Sequence, residues 1–225
     1  MKKYELTAEF IEKWGKKLFR IKALISFGSV EAGELGGYVE KEDNLAQDGD
    51  AWVYGNAEVY GNARVCDDAW VYGNARVYDD AWVYGDARVY GNAEVYGDAR
   101  VYGNARVCDD AWVYGNAWVC GNARVCDDAW VYGNAWVCGN ADYLLIGRIG
   151  SRFSFTTFFK NKDKGITVSC GCFLGTIAEF RAKVTDTHGN NKHAKMYNLA
   201  ADMAELQILG EEHFDKLNTN KSEPF

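Results

Sequence analysis

From Asp50 to Val137, apolar and polar side chains recur in a unit of six that reads Asp/Asn-Ala-x-Val-Tyr/Cys-Gly/Asp. A valine stands at every sixth position from Val53 to Val137, and an alanine stands two positions before each. Alternation within Ala-x-Val has a period of two, so alanine and valine point one way and the residue between them points the other: a short strand. The Gly/Asp and Asp/Asn pair that follows tolerates left-handed backbone angles and supplies turn chemistry. Each hexad is therefore one strand and one corner. A period of six is too short for a helical solenoid, and no proline interrupts the ladder hydrogen bonds.

The flanks lack this period. In residues 1–37, Phe10, Trp14 and Leu18 recur at four-residue spacing behind Thr7 as an N-cap, which predicts a short amphipathic helix and then a strand from about Phe19 to Phe27. Val39 and Leu45 are six apart but two residues out of phase with Val53, which predicts a bulge near Gln47 to Gly49. Beyond Val137, Tyr143, Ile149 and Phe155 keep the six-residue spacing and predict one further coil with bulky inward residues. Strands over Phe153–Phe159 and Ile166–Phe173 should flank a turn at Asn161–Gly165. Thr176 and Glu179 have capping-box spacing, so a helix should follow to about Thr187. After a break at Gly189, a second helix should run from His193 to Leu209, with Met196, Leu199, Ala200, Met203 and Leu206 as its apolar face. Residues 211–225 read as a loose tail. The chain thus divides into an N-terminal cap (1–37), a repeat region (38–157) and a C-terminal α/β part (158–225).

The stretch Val101 to Arg106 resembles the hexapeptide repeat of left-handed parallel β-helices, in which three hexads make one triangular coil. The lead-in through Gly33, Gly36, Gly37, Tyr38 and Val39, with Asn44 and Leu45, is similar to hexapeptide-repeat proteins of bacteriophages and prophages. The resemblance implies a mainly β fold: a left-handed parallel β-helix, three hexads per coil, with small α/β caps at both ends. It also implies a homo-oligomer, with a trimer favoured.

Folded at three hexads per coil, the outward residues sort into columns. Tyr60, Tyr78, Tyr96, Tyr114 and Tyr132 form one, and two others mix tyrosine with cysteine. The middle slot of the strands holds Trp52, Trp70, Trp82, Trp112, Trp118, Trp130 and Trp136, more tryptophan than a bare surface carries. Another subunit, the chain's own caps, or a stacked base or sugar would account for them, so these residues form the candidate interaction surface. Asp109, Asp110, Asp127 and Asp128 share one corner, either as a calcium-type oxygen site or as a solvated acidic edge. Cys170, Cys172, His188 and His193 have the composition of a zinc site, although the Cys-x-Cys spacing fits one poorly.

The net charge of -7 resides in the repeat, where 13 acidic side chains face 6 basic ones over residues 50–141. Direct nucleic-acid binding is therefore not expected. The N-terminus has no apolar leader and no run is long enough to span a bilayer, so a cytoplasmic location is expected, in the bacterial host if phage-encoded. Five of the seven cysteines occupy slots that tyrosine fills elsewhere and read as surface variants rather than a disulfide framework. No cofactor fingerprint or catalytic motif is present. The strict hexads contain no histidine; His188, His193 and His213 lie beyond them. Hexapeptide-repeat acyltransferases rely on a histidine base, so that activity stands as an alternative, as does a structural spacer or scaffold rod. The favoured reading is a non-catalytic binding protein that captures a host factor or a nucleotide-like signalling molecule, as an anti-defence sponge does. Its candidate ligand residues are Arg148, Arg152, Lys160, Lys162, Lys164 and the helix start at Thr176, with solvated surface charge as the competing account.

Overall fold

The computed structural model describes residues 2–212 and Phe214. His213 and most of the 211–225 tail lie outside the described residues. The chain divides into two compact units at Asn134/Ala135.

The first unit is a parallel β-solenoid that begins in a β-hairpin. Strands β1 (Tyr4–Lys13) and β2 (Lys16–Ala23) pair antiparallel, and β3 (Leu35–Val39) joins β2. The helix expected behind Thr7 is thus this hairpin. Trp14 and Gly15 both take positive φ (52° and 74°), giving the two-residue turn that matches strand twist. A four-residue recurrence of apolar side chains cannot outweigh a turn that pairs Lys13 with Lys16. Tyr4 anchors the hairpin: it is fully buried, and its hydroxyl donates to the carbonyls of Glu42 (2.8 Å) and Leu45 (2.7 Å).

Two-residue strands then recur every six residues from β4 (Trp52–Val53) to β17 (Trp130–Val131), and β18 (Trp136–Val137), which belongs to the second unit, keeps the same spacing in sequence. Each from β4 to β14 pairs in parallel with the strand three hexads on, Val59 with Val77 and Val89 with Val107 for example. The amides step likewise: Trp70 N–H donates to Ala87 O and Tyr72 N–H to Val89 O, at 2.9 and 3.0 Å. Alanine and valine from Ala51 to Val131 are fully buried, so the interior is a stack of small aliphatic layers. Burying each valine contributes about 1.5–3 kcal/mol. The two-residue phase shift lies where it is expected. Val39 pairs with Val59 and Leu45 with Val65, each two residues beyond the three-hexad step, so the surplus falls between Leu45 and Val53. The corners require left-handed backbone. At Gly91 (φ 74°) a Cβ would come 2.8 Å from the amide nitrogen of Asp109 in the next coil. Gly37 serves close approach instead, since a Cβ there would lie 2.6 Å from Ala57 O and 2.7 Å from Val53 Cγ1.

The second unit is an antiparallel meander, β19 (Tyr143–Ile149), β20 (Ser154–Lys160), β21 (Ile166–Cys170) and β22 (Phe173–Thr176), followed by α1 (Ile177–His188) and α2 (Lys192–Leu209). The further coil expected through Tyr143, Ile149 and Phe155 is replaced by β19 folding back on β20, Tyr143 opposite Phe159. No Asp/Asn-Gly corner separates those residues; Gly150 and Phe153 with positive φ (71° and 48°) make a reverse turn. The capping box forms as expected, with Glu179 N–H donating to Thr176 Oγ1 and Thr176 N–H to Glu179 Oε2. Helix α2 turns differently from the expectation. Ala194, Tyr197, Ala201, Ala204 and Ile208 pack into the core with Phe158, Val168 and Phe180, whereas Met196, Leu199, Met203 and Leu206 are exposed. Only Ala200 of the expected face is buried. Small alanines let α2 approach the sheet and α1 more closely than the longer side chains would.

Candidate functional site

The solenoid's outer faces are aromatic and charged ladders. Tyr60, Tyr78, Tyr96, Tyr114 and Tyr132 stack at 4.9, 4.8, 4.8 and 4.6 Å with nearly parallel rings. Trp14 from the hairpin turn closes this stack on Tyr60, 5.1 Å away. Burial pushes the hydroxyls of Tyr60, Tyr78 and Tyr114 well above the usual phenol range, and Glu94, which accepts from Tyr78 Oη at 2.9 Å, adds to the shift at Tyr78. In the middle slots, Trp52 is fully buried under Tyr4 and Phe27, with its indole Nε1 lacking a partner. Trp70, Trp112 and Trp118 are half-buried; Trp82, Trp130 and Trp136 are exposed. Arg88 lies over Trp70 at 5.1 Å, and Arg100 lies over both Trp82 and Trp118, at 5.8 and 5.3 Å. Trp112 stacks on Trp130. Ring faces of Trp70, Trp82, Trp112 and Trp118 thus meet a guanidinium or another indole of a neighbouring coil, whereas Trp130 and Trp136 remain exposed.

The corners carry polar ladders. Asn56 donates to Asn74, Asn74 to Asn92 and Asn92 to Asp110, at 3.5, 3.2 and 3.0 Å. Asp110 is thus the accepting end of an amide chain. Asp109 and Asp127 (φ 59° and 61°) fill the left-handed slot that glycine fills elsewhere. Among the described residues the four carboxylates Asp109, Asp110, Asp127 and Asp128 do not gather into a ligand set. The one cluster of that kind is Cys108, Asp109 and Cys126, and its two sulfurs are bonded to each other. That disulfide corrects the reading of these cysteines as surface variants: one turn of the coil puts their Cα atoms 4.6 Å apart, within bridging range.

In the second unit, Ser151 and Arg152 after β19, Cys170 and Cys172 at the β21–β22 turn, and α1 and α2 enclose a cleft of about 350 Å³. Phe173, Phe180, Val184 and Tyr197 give it an apolar wall; Arg152, Lys183 and His188 contribute nitrogen. Thr156 Oγ1 donates to Cys170 Sγ at 3.2 Å. The Tyr197 hydroxyl is pushed up to about 12, by burial first and then by Cys170, with Arg152 opposing. His188 stacks on Tyr197 at 5.7 Å. Lys183 pairs with Asp186, whereas Arg152 has no ion-pair partner among the described residues.

Of the ligand residues read from the sequence, Arg152 alone lines this cleft. Arg148 is exposed on β19, and Lys162 and Lys164 are exposed in the 161–165 turn. Lys160 is paired with Asp142 at 3.0 Å. Thr176 is engaged by Glu179, whose carboxyl these bonds hold below the usual range, so the helix start already carries an anion. Cys170 and Cys172 flank Gly171 in a tight turn, and with His188 and His193 they form no ligand set among the described residues. Sequence reasoning missed Lys183, Phe180 and Tyr197. Arg152 and the Cys170/Cys172/His188 composition were the cleft's signals in the sequence, and the latter suggested a different chemistry.

Residues 69–85, 81–97, 87–103, 93–108, 99–115, 105–121 and 123–139 match the family model described as YdcK Beta solenoid repeat. The matched windows fall on the coils. No curated protein matches the chain.

Proposed function

We propose that this chain is a non-catalytic β-solenoid binding protein, a closed homo-oligomer on a left-handed, hexapeptide-type helix of bacteriophage kind. In this reading the second unit captures a small cytoplasmic molecule that joins an anionic group to a flat apolar part, as a signalling nucleotide does. The observation that carries the reading is Arg152. Its guanidinium lacks an ion-pair partner among the described residues and stands beside an aromatic-walled cleft of about 350 Å³. That volume suits a small ligand, and a guanidinium binds phosphate or carboxylate in a bidentate manner. Mass spectrometry of material released from heat-denatured protein should yield such a compound, and Arg152→Ala should weaken its rebinding about 10–100-fold. A protein that copurifies empty and shows no thermal shift with mono- and dinucleotides sinks the reading.

His188 in the same cleft favours a second reading, acyl transfer with His188 as base. Acetyl-coenzyme A turnover with an amine panel, abolished in His188→Ala, is the result that would support it.

A further inference from the structure

Helix α2 is apolar on two opposite sides. One side forms the core of the second unit. The other presents Met196, Leu199, Met203 and Leu206, which are 40, 63, 56 and 45% exposed. Their 3-4-3 spacing is that of the a and d positions of a coiled-coil seam. A buried face needs only one stripe, so a second stripe of four large side chains is what a second partner would cover.

We propose that this face pairs with the same face of a second copy of the chain, the two α2 helices running antiparallel across a two-fold axis. This names the contact within the closed oligomer proposed above and rests on that part of the reading; it is independent of the cleft. The charges decide the partner and its direction. Lys192 and Lys195 are exposed at the start of α2, and Glu211 and Glu212 are exposed just past its end. An antiparallel pair places each basic end against the partner's acidic end, whereas a parallel pair juxtaposes like charges. The stripe is itself uncharged and therefore complementary to its own copy, as a two-fold contact requires. The four side chains leave on the order of 400 Å² uncovered, about half of the ~800 Å² per partner that a stable contact buries, and the flanking lysines and glutamates extend it.

Light scattering on the full chain after size exclusion tests the proposal. A dimer is expected. Leu199→Glu with Met203→Glu should raise the dimer Kd at least ~100-fold. The helical circular dichroism should not change, because neither side chain belongs to the core. Leu199→Met with Met203→Leu should keep the dimer. Lys192→Glu with Lys195→Glu should weaken it, and adding Glu211→Lys with Glu212→Lys should restore it. A monomer, a trimer, or an oligomer that survives the double glutamate substitution overturns the proposal. So does a wild-type monomer that dimerises once residues 215–225 are removed, which would make the chain's own tail the occupant. Loss of the dimer with ligand capture intact separates this contact from the cleft.

Discussion

Removing the Arg181 guanidinium should unfasten α1 from α2 and with them one wall of the cleft. Arg181 on α1 donates from Nη2 to Asp202 (2.8 Å) and Glu205 (2.6 Å) on α2, and from Nη1 to the carbonyl and side-chain oxygens of Asn198, both at 3.3 Å. Glu205 is only 6% exposed. Arg181→Met keeps the aliphatic stem and leaves the Glu205 charge buried without a cation. Breaking a fully buried pair in this way costs about 3–5 kcal/mol. Arg181 and Asp202 keep partial solvent contact, so the expected loss is at the lower end, about 2–3 kcal/mol. Glu205→Leu in the same chain removes the stranded charge and should recover most of that loss. The assay is urea denaturation followed at the helical circular dichroism band, because α1 and α2 are the α-helices of the described residues. A single substitution within about 0.5 kcal/mol of wild type, or a double variant as unstable as the single, would refute the reasoning.

Further outcomes follow from the same contacts. Burial pushes the Lys3 ammonium down to about 8, although Asp48, Asp50 and Asp68 pull it up. An unfolded lysine keeps its proton to about 10.5, so between pH 8 and 10.5 the unfolded chain binds more protons and stability rises with pH. The ladder phenols act in the opposite sense: unfolded tyrosines ionise near pH 10 while Tyr60, Tyr78 and Tyr114 stay protonated, so stability falls above pH 10. The urea midpoint should therefore peak between pH 8 and 10, and a steady decline from pH 7 would contradict both assignments. Gly37→Ala drives a methyl into Ala57 O and Val53 Cγ1 and should cost at least about 1–3 kcal/mol, read from tryptophan fluorescence on unfolding. In oxidised protein, Cys108→Ala opens the loop that this disulfide closes and should cost about 3 kcal/mol. In a reducing cytoplasm both thiols should instead be free, so alkylation under denaturing conditions after an acid quench of intact cells should modify Cys108 and Cys126, which the fold buries; an unmodified pair would argue against that location.

The sequence by itself determined the coil. Strand, corner and inward face are all set within one hexad, and each strand's ladder partner is the equivalent strand three hexads on, so one local rule repeats without long-range choice. The phase slip before Val53 and the capping box at Thr176 were legible for the same reason. What only the tertiary structure decided depended on which of two similar faces found a partner. Trp14 and Leu18 had helical spacing, yet the Trp14–Gly15 turn and the pairing of β2 with β3 made the segment a hairpin. Both sides of α2 were apolar, and the side with alanines packed closer to the sheet. Tryptophans in identical slots range from fully buried Trp52 to exposed Trp82, because only the first meets Tyr4 and Phe27. Cys108 and Cys126 were legible as column neighbours three hexads apart, but the bond between them needed the 4.6 Å Cα separation of the closed coil. The cleft drew Arg152, Cys170, Lys183 and Tyr197 from four separate segments. Burial and proximity of that kind are properties of the assembled surface, and no local period encodes them.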